Sequence, residues 1–268
     1  MTTTSSDLHA KLQALRLIVE QFDKVAVAYS GGIDSSFLLH MACTWLGADR
    51  VLAIHASSCL LPSSAASASR ALLADFFAGR CQQHTVHFAP LYWPDFVDNP
   101  EDRCYLCKKR LYTQLLGETA RRGYPILFDG TNADDQLQHR PGLRALVELA
   151  IATPLMTTGL GKREIRALAR EAGLPNHDLP SQSCLATRIP TGTTITEAGL
   201  ARVDRAEEFL RDLGFIGCRV RFTATCALVE IQEAHFGQIL TASHRASIVT
   251  YFASEQNVPV YLDLRSRR

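Results

Sequence analysis

A compact apolar run, Val25 to Tyr29, stops abruptly at Ser30-Gly31-Gly32-Ile33-Asp34-Ser35-Ser36, and helical spacing resumes from Phe37 to Leu46. A buried strand that turns into a helix within a few residues opens a βαβ unit, and so commits the chain to a parallel sheet with crossover helices. Glycines let a backbone approach an anion closely, and the hydroxyls of Ser30, Ser35 and Ser36 add donors. A helix starting here aims its unpaired amides and positive dipole end at the same spot, so the loop is expected to hold phosphate. It has neither the lysine of G-x-x-x-x-G-K nor the spacing of G-x-G-x-x-G, so an ordinary P-loop and a dinucleotide fold fit poorly. A plain strand-to-helix turn with a serine cap is the alternative reading.

The same rhythm runs through the chain. Leu8, Leu12, Leu15, Val19 and Phe22 predict an amphipathic first helix. Val51 to Ala56 reads as a second strand, Ser63 to Phe77 as a helix, Thr85 to Phe88 as a third strand and about Cys107 to Arg121 as a helix. Pro125 to Phe128 is the fourth strand, followed by a glycine-and-acid loop, Asp129 to Asp135. Parallel sheets of this kind bind ligands beyond the carboxyl ends of their strands, where the Ser30 and Asp129 loops both fall. Lys162 to Ala172 is a further helix, stopped by Gly173 and Pro175, and the proline-bearing stretch to Gly192 reads as a linker or active-site loop. Beyond it the pattern gives a helix (Glu197 to Leu213), strands at Cys218 to Phe222 and Ala227 to Ile231, a helix near Phe236 and a last strand around Val258 to Leu262. The expected fold class is therefore α/β: a parallel-sheet domain over residues 1–180 and a smaller α/β domain over 181–268.

The 268 residues are 47% apolar and 21% charged, enough to bury a core and incompatible with disorder, collagen or coiled coil. Basic and acidic residues balance, 18 against 18 in residues 1–180 and 10 against 9 in 181–268. Neither half is a basic body of the kind that neutralises nucleic-acid phosphates, so a small-molecule partner is favoured over RNA or DNA. No stretch approaches the roughly 18 apolar residues of a membrane span. Met1 to Asp7 is polar, without a cationic start or an apolar run, so no secretory leader is expected and a cytoplasmic location is. In that compartment the eight cysteines are weighed for metal or catalytic use.

Cys104-Tyr105-Leu106-Cys107 places two thiols three residues apart, on one side of a turn if helix has begun there. The pair reads as a metal or redox pair in need of partners, as half a structural zinc site, or as two core thiols. The candidate partner is Cys184, in Pro180-Ser181-Gln182-Ser183-Cys184-Leu185-Ala186-Thr187-Arg188, where prolines exclude regular structure and Arg188 would favour a thiolate. Cys43, Cys59, Cys81, Cys218 and Cys226 are expected to be small core residues, and His55 a satisfied structural histidine. Arg219 and Arg221 alternate on one strand and project to one face, where with Glu207 they either clamp a phosphate or form a solvated charged surface. Asp134 and Asp135 read as loop acids or as nucleotide or metal ligands. Lys162 heads a helix, which is unfavourable beside the dipole unless an anion is present, and is expected to meet a phosphate.

The Ser30 heptapeptide resembles the PP-loop of ATP pyrophosphatases, which cleave ATP between the α and β phosphates to adenylate a substrate. That resemblance implies that Ser30, Gly31, Gly32, Ser35 and Ser36 cradle the pyrophosphate portion, and that Asp34 acts through Mg2+. Asp129-Gly130-Thr131-Asn132-Ala133-Asp134-Asp135, Arg140-Pro141-Gly142-Leu143-Arg144, Gly161-Lys162-Arg163-Glu164-Ile165-Arg166 and Cys184-Leu185-Ala186-Thr187-Arg188-Ile189-Pro190-Thr191-Gly192 follow in order. Together with Arg219-Val220-Arg221, they closely resemble the LarE family over nearly the whole chain. The resemblance implies an ATP-dependent sulfurtransferase of nickel-pincer nucleotide cofactor biosynthesis. Such an enzyme adenylates a carboxylate of pyridinium dicarboxylic acid mononucleotide, releases pyrophosphate and forms a thiocarboxylate.

By the same resemblance Gly130, Thr131, Asp135, Lys162 and Arg188 belong to the binding site, and Glu207, Arg219 and Arg221 match residues near a phosphate or metal, holding the mononucleotide's phosphate. In the sacrificial form of the family the cysteine matching Cys184 gives up its own sulfur and becomes dehydroalanine. Cys104 and Cys107 depart from that form and resemble the three-cysteine subgroup, in which thiolates hold a 4Fe-4S cluster with one iron open to sulfide. A sulfide donor and a homo-oligomeric assembly are implied as well. The competing classes are a tRNA thiolase, disfavoured by the balanced charge, and a non-catalytic nucleotide-binding module with a structural zinc.

Overall fold

A computed structural model describes residues 5–137, 141–180 and 182–267. Arg140 and Ser181, quoted in two of the motifs, and residues 1–4 of the polar tail lie outside the described residues. In chain order the elements are α1 (Ser5–Glu20), β1 (Val25–Tyr29), α2 (Ile33–Leu46), β2 (Val51–Ser57), α3 (Ser63–Asp75), β3 (Gln82–His87), α4 (Pro94–Val97), α5 (Arg103–Arg121), β4 (Leu127–Asp129), α6 (Pro141–Glu148), α7 (Pro154–Thr157) and α8 (Lys162–Glu171). There follow α9 (Glu197–Asp212), β5 (Arg219–Phe222), β6 (Ala227–Glu230), α10 (Phe236–Ile239), α11 (Ala242–Ser254) and β7 (Val260–Leu262). The chain divides into two compact units, Met1–Ser58 with Ala65–Phe88 and Asp102–Leu179, and Cys59–Ser64 with Ala89–Glu101 and Pro180–Arg268. The two early segments of the second unit belong there because the later chain holds them. Leu185 donates to the Leu60 carbonyl (2.8 Å), Ile195 to Val97 (2.9 Å), and the Asn99 amide to Pro190 (2.8 Å) and Thr193 (3.0 Å).

Unit 1 is an α/β layer structure on a four-stranded, wholly parallel sheet of order β3-β2-β1-β4. Every residue of β1 is buried because both of its faces are covered. Val25, Val27 and Tyr29 face one core layer with Leu15, Phe37 and Ile165, from α1, α2 and α8. Ala26 and Ala28 face the other with Tyr112, Leu115 and Leu146, from α5 and α6. Strand order reverses at β1, so the loops after β1 and β4 open on one crevice.

Several boundaries differ from the sequence pattern. The α5 helix starts at Arg103, so Cys104 and Cys107 lie in its first two turns; β3 starts earlier, at Gln82, and α3 stops at Asp75. Cys59 is exposed, a correction to its expected place in a core, since it lies in the segment that leaves unit 1 before α3. Cys81 and Cys218 are buried.

Unit 2 packs α9 and α11 on a three-stranded sheet of order β5-β6-β7, antiparallel between β5 and β6 and parallel between β6 and β7. Thr196 caps α9 by accepting the Gly199 amide at 3.0 Å. Ala206 and Leu210 of α9 then pack with Val220, Val229, Phe215 and Phe252. The helix read near Phe236 is a single turn, and α11 carries too sparse an apolar pattern, with only Ile248 and Phe252 buried, to be read from sequence. No helix among the described residues is long and apolar enough to cross a membrane.

Candidate functional site

Two side-chain constellations stand out, one in each unit. In unit 1, Gly31 adopts φ +79°, and a Cβ there would lie 2.5 Å from the Cβ of Ser69. Both the left-handed backbone and the close approach require glycine. Ser30 and Ser35 knit the turn: the Ser35 hydroxyl donates to the Gly32 carbonyl (3.0 Å) and accepts from the Ser30 amide (3.2 Å), and the Gly32 amide donates to Ser30 Oγ (3.3 Å). Ser36 is fully buried and is held by Asn176, whose Nδ2 donates to Ser36 Oγ (3.0 Å) and to the Gly31 carbonyl (3.1 Å). Two of the three hydroxyls expected to face an anion thus also hold the loop's shape.

The Asp129 loop meets the head of α2. A Cβ on Gly130 would stand 2.8 Å from the Ser35 amide nitrogen, so only glycine lets the two loops come this close. Asp129 shapes its own loop, accepting from the Thr131 amide at 2.7 Å and from the hydroxyls of Thr131 and Tyr112. Thr131, expected in the binding site, thus closes its own loop on Asp129. Asn132, fully buried, donates to Asp34 Oδ2 at 3.1 Å. The other oxygen, Oδ1, is buried without a hydrogen-bond partner.

Burial, and next the nearby Asp135 charge, push the Asp34 carboxyl up to about 6, against the Asn132 hydrogen bond and the Lys162 and Arg166 charges. Such an oxygen would suit a cation shared with a phosphate, because Mg2+ takes one or two carboxylates and keeps its remaining positions for phosphate and water. Lys162 sits 3.3 Å from Asp135 Oδ1, and its amide donates to Asp134 Oδ2 at 2.7 Å. Two acids of the Asp129 loop thus face the start of α8 beside Lys162. His55 is buried and bonded through Nδ1 to the Tyr29 carbonyl at 3.0 Å, a structural histidine.

In unit 2, Cys184 is half-buried and precedes a short 3-10 turn, Leu185–Arg188. Arg188 is 4% exposed and grips Glu207, 1% exposed, through Nε (2.8 Å) and Nη2 (2.9 Å). Its Nη1 donates to the carbonyls of Ser183 (2.8 Å) and Cys184 (3.0 Å). Glu207 also accepts the Val220 amide at 3.0 Å. Such burial overturns the solvated-face reading of Glu207, and it makes Arg188 a clamp on the Cys184 loop. Arg221 donates to Glu230 and to the Thr187 carbonyl, whereas Arg219 has no ion pair among the described residues.

No protein-family model matches the chain. An uncharacterized protein of Synechocystis sp. is 34% identical over 257 residues, 96% of this chain and 94% of that protein. An uncharacterized protein of Methanocaldococcus jannaschii is 31% identical over 210 residues, 78% of each chain. The deciding match is pyridinium-3,5-bisthiocarboxylic acid mononucleotide synthase of Lactiplantibacillus plantarum, 34% identical over 240 residues, 90% of this chain and 86% of the synthase. The chain belongs to that synthase's family, LarE.

The three cysteines singled out from the LarE resemblance fall in different units. Cys104 and Cys107 are half-buried, one turn apart on α5, with Arg103 Nη2 donating to Cys104 Sγ at 3.7 Å. Two soft thiols in an electropositive setting fit half of an iron or zinc site. Among the described residues no group of three or more His, Cys, Asp or Glu side chains could hold a metal ion, and Cys184 belongs to the other unit. Sequence reading missed Asn132, Asn176 and Ser69, which act through contacts with residues far away along the chain. It also missed Arg211 and Arg267, which line a cleft beside Arg188 and Arg219.

Proposed function

We propose that this LarE-family chain is an ATP-dependent sulfurtransferase that converts a carboxylate of pyridinium dicarboxylic acid mononucleotide to a thiocarboxylate in nickel-pincer nucleotide biosynthesis. The observation that carries the reading is the meeting of Gly130 with the first turn of α2, where Asp34 buries an unpartnered oxygen beside a glycine loop. Family membership supports the sulfur chemistry, through the printed name of the L. plantarum synthase.

In the proposed first step a substrate carboxylate oxygen attacks the α-phosphorus of ATP, the bond to the bridging oxygen breaks, and pyrophosphate leaves. In the second, sulfide sulfur attacks the acyl carbon, the carbon–oxygen bond to the adenylate breaks, and AMP departs with that oxygen. The Ser30 loop and the amides heading α2 orient the phosphates, and the Gly130 approach holds the Asp129 loop against the first turn of α2. Asp34 with Asp135 would hold magnesium, which would supply charge neutralisation for the departing pyrophosphate. On the cluster reading, Cys104, Cys107 and Cys184 would hold a 4Fe-4S cluster, which would supply an open iron for a delivered sulfide. A sacrificial reading rests on Cys184 alone, whose loop Arg188 clamps independently of the α5 pair.

The test uses anaerobically prepared full chain, ATP, Mg2+, sulfide and the pyridinium mononucleotide, with pyrophosphate and product mass followed together. The expected result is matched pyrophosphate and thiocarboxylate, iron and sulfide in wild type, and loss of both elements in Cys104→Ala, Cys107→Ala and Cys184→Ala. Iron-free protein that loses one sulfur per chain at Cys184 replaces the cluster with sacrifice. Pyrophosphate release only with tRNA, with binding that weakens steeply in salt, replaces the substrate. A cytoplasmic, multi-subunit enzyme is part of the same proposal.

A further inference from the structure

Gly31 and Gly32 flank one peptide unit of the Ser30 loop, and that unit is trans, so its carbonyl and its N–H leave from opposite edges. On one edge the Gly31 carbonyl accepts from Asn176 Nδ2 at 3.1 Å. On the other the Gly32 N–H faces Ser30 Oγ at 3.3 Å, a long and therefore weak bond, and both residues are exposed. Turning the unit over would exchange the edges and present a carbonyl oxygen where an anion needs a donor. It would also carry Gly32 from φ −72° to a positive φ, which glycine tolerates and other residues resist. The paired glycines that admit a phosphate therefore also permit a loop that repels one.

Asn176 opposes that turn. The Gly31 carbonyl can only accept, which fixes the end of the Asn176 amide that faces it, and the same Nδ2 donates to Ser36 Oγ at 3.0 Å. Asn176 is 5% exposed, and its Oδ1 is buried with no hydrogen-bond partner among the described residues. Burying an amide with its oxygen unsatisfied costs stability, so packing does not account for the residue, whereas its two donations do. Its backbone is held firmly. The Leu174 amide donates to the Ala169 carbonyl at 2.9 Å, and Arg166 of α8 donates to the carbonyls of His177 (2.6 Å) and Leu179 (2.7 Å).

We infer that Asn176 is a positioning residue that latches the Gly31–Gly32 peptide with its N–H toward the ligand side, so that the loop offers a donor to a phosphoryl oxygen before any ligand arrives. Asn176 itself touches no ligand in this role; it acts through the peptide, from 145 residues along the chain. The inference deepens the proposed function and rests on it only for the ligand, the phosphates of ATP.

A double-mutant cycle on the full chain tests it, with magnesium pyrophosphate and magnesium ATP as probes and binding read by calorimetry. Asn176→Leu removes the donors without adding charge. Gly32→Ala, whose Cβ would meet only Ser30 Oγ at 3.4 Å, holds position 32 at negative φ and so locks the peptide by other means. Asn176→Leu is expected to weaken both probes about three- to tenfold when position 32 is glycine, and less than about twofold in the Gly32→Ala background. Equal losses in both backgrounds reduce Asn176 to packing, and no loss in either removes it from the loop; both results overturn the latch. Asn176→Ala repeats the cycle with a smaller side chain, so the result does not depend on how leucine packs. A ligand-free measurement separates the latch from the function: the amide resonance of isotopically labelled Gly32, assigned by its absence in Gly32→Ala. It is expected to be single in wild type and to broaden or double in Asn176→Leu. That change in a chain whose wild type binds neither probe keeps the latch and removes the proposed ATP use; an unchanged resonance with normal ATP binding does the reverse.

Discussion

At the head of α2 in unit 1 a carboxylate oxygen is buried without a hydrogen-bond partner, whereas the cleft of unit 2 buries a guanidinium nitrogen without one. The surroundings differ as much as the sign. Around Asp34 the loop is made of backbone and small hydroxyls, and position matters more than charge: Gly31 and Gly130 stand where a single methyl group would collide. Around Arg219 the pocket consists of long side chains held by burial and by one internal ion pair. A backbone cradle leaves a carboxylate oxygen without a donor, whereas an arginine cleft leaves a guanidinium nitrogen without an acceptor. The two units therefore leave buried polar atoms of opposite sign unpaired.

The largest test of that contrast is Arg188→Ala, which leaves Glu207 buried and uncompensated. It is expected to destabilise unit 2 by about 3–5 kcal/mol in denaturant unfolding, and Arg188→Met combined with Glu207→Gln to recover most of the loss. A small effect from the single change means that Arg188 is a ligand-facing cation after all. Next in size is Gly31→Ala. A positive φ and a 2.5 Å clash with Ser69 are expected to cost about 2–4 kcal/mol and to abolish ATP protection of the loop from proteolysis. Gly173→Ala, also at positive φ but with no atom within 4 Å of its Cβ, isolates the backbone contribution at about 1 kcal/mol. Similar losses at both positions remove the argument from close approach.

What the sequence made legible follows the range of the interactions. The β1 run, the Ser30 loop and the start of α2 are contiguous, so their apolar spacing and glycines announce strand, turn and helix together. Asn132 and Asn176 reach Asp34 and Gly31 from 98 and 145 residues away, and an asparagine in a loop carries no local sign of such a partner. Arg188 reads from sequence as support for a thiolate because its partner is remote. The overlooked signal lies in α9, where Glu207 interrupts the buried stripe Leu200, Val203, Ala206 and Leu210. A carboxylate there needs a buried cation. Arg211 and Arg267 give no signal at all, since only the tertiary fold brings a helix end and the last strand region to one cleft.

The smallest predicted effect separates the two units by pH. With its carboxyl raised to about 6 from an ordinary value of 3.8, Asp34 binds a proton in the folded chain between those values while the unfolded chain has lost it. Folding is thus opposed by the ionised group above pH about 6, and the opposition disappears as pH falls toward 4. Asp34→Asn keeps an oxygen for the Asn132 amide and removes the charge. It should therefore stabilise the ligand-free protein by about 1 kcal/mol above pH 6, and the gain should shrink to nothing near pH 4. In the same variant the proposed magnesium-dependent ATP binding is expected to be lost, so the substitution would trade function for stability in the direction expected of a cation site. Arg267→Gln gives no such pH-linked difference over this range, because the guanidinium groups of unit 2 stay charged throughout it. A stability gain in Asp34→Asn that persists unchanged at pH 4 shows that the buried oxygen is not under charge strain, and the contrast between the two units then fails on the unit 1 side.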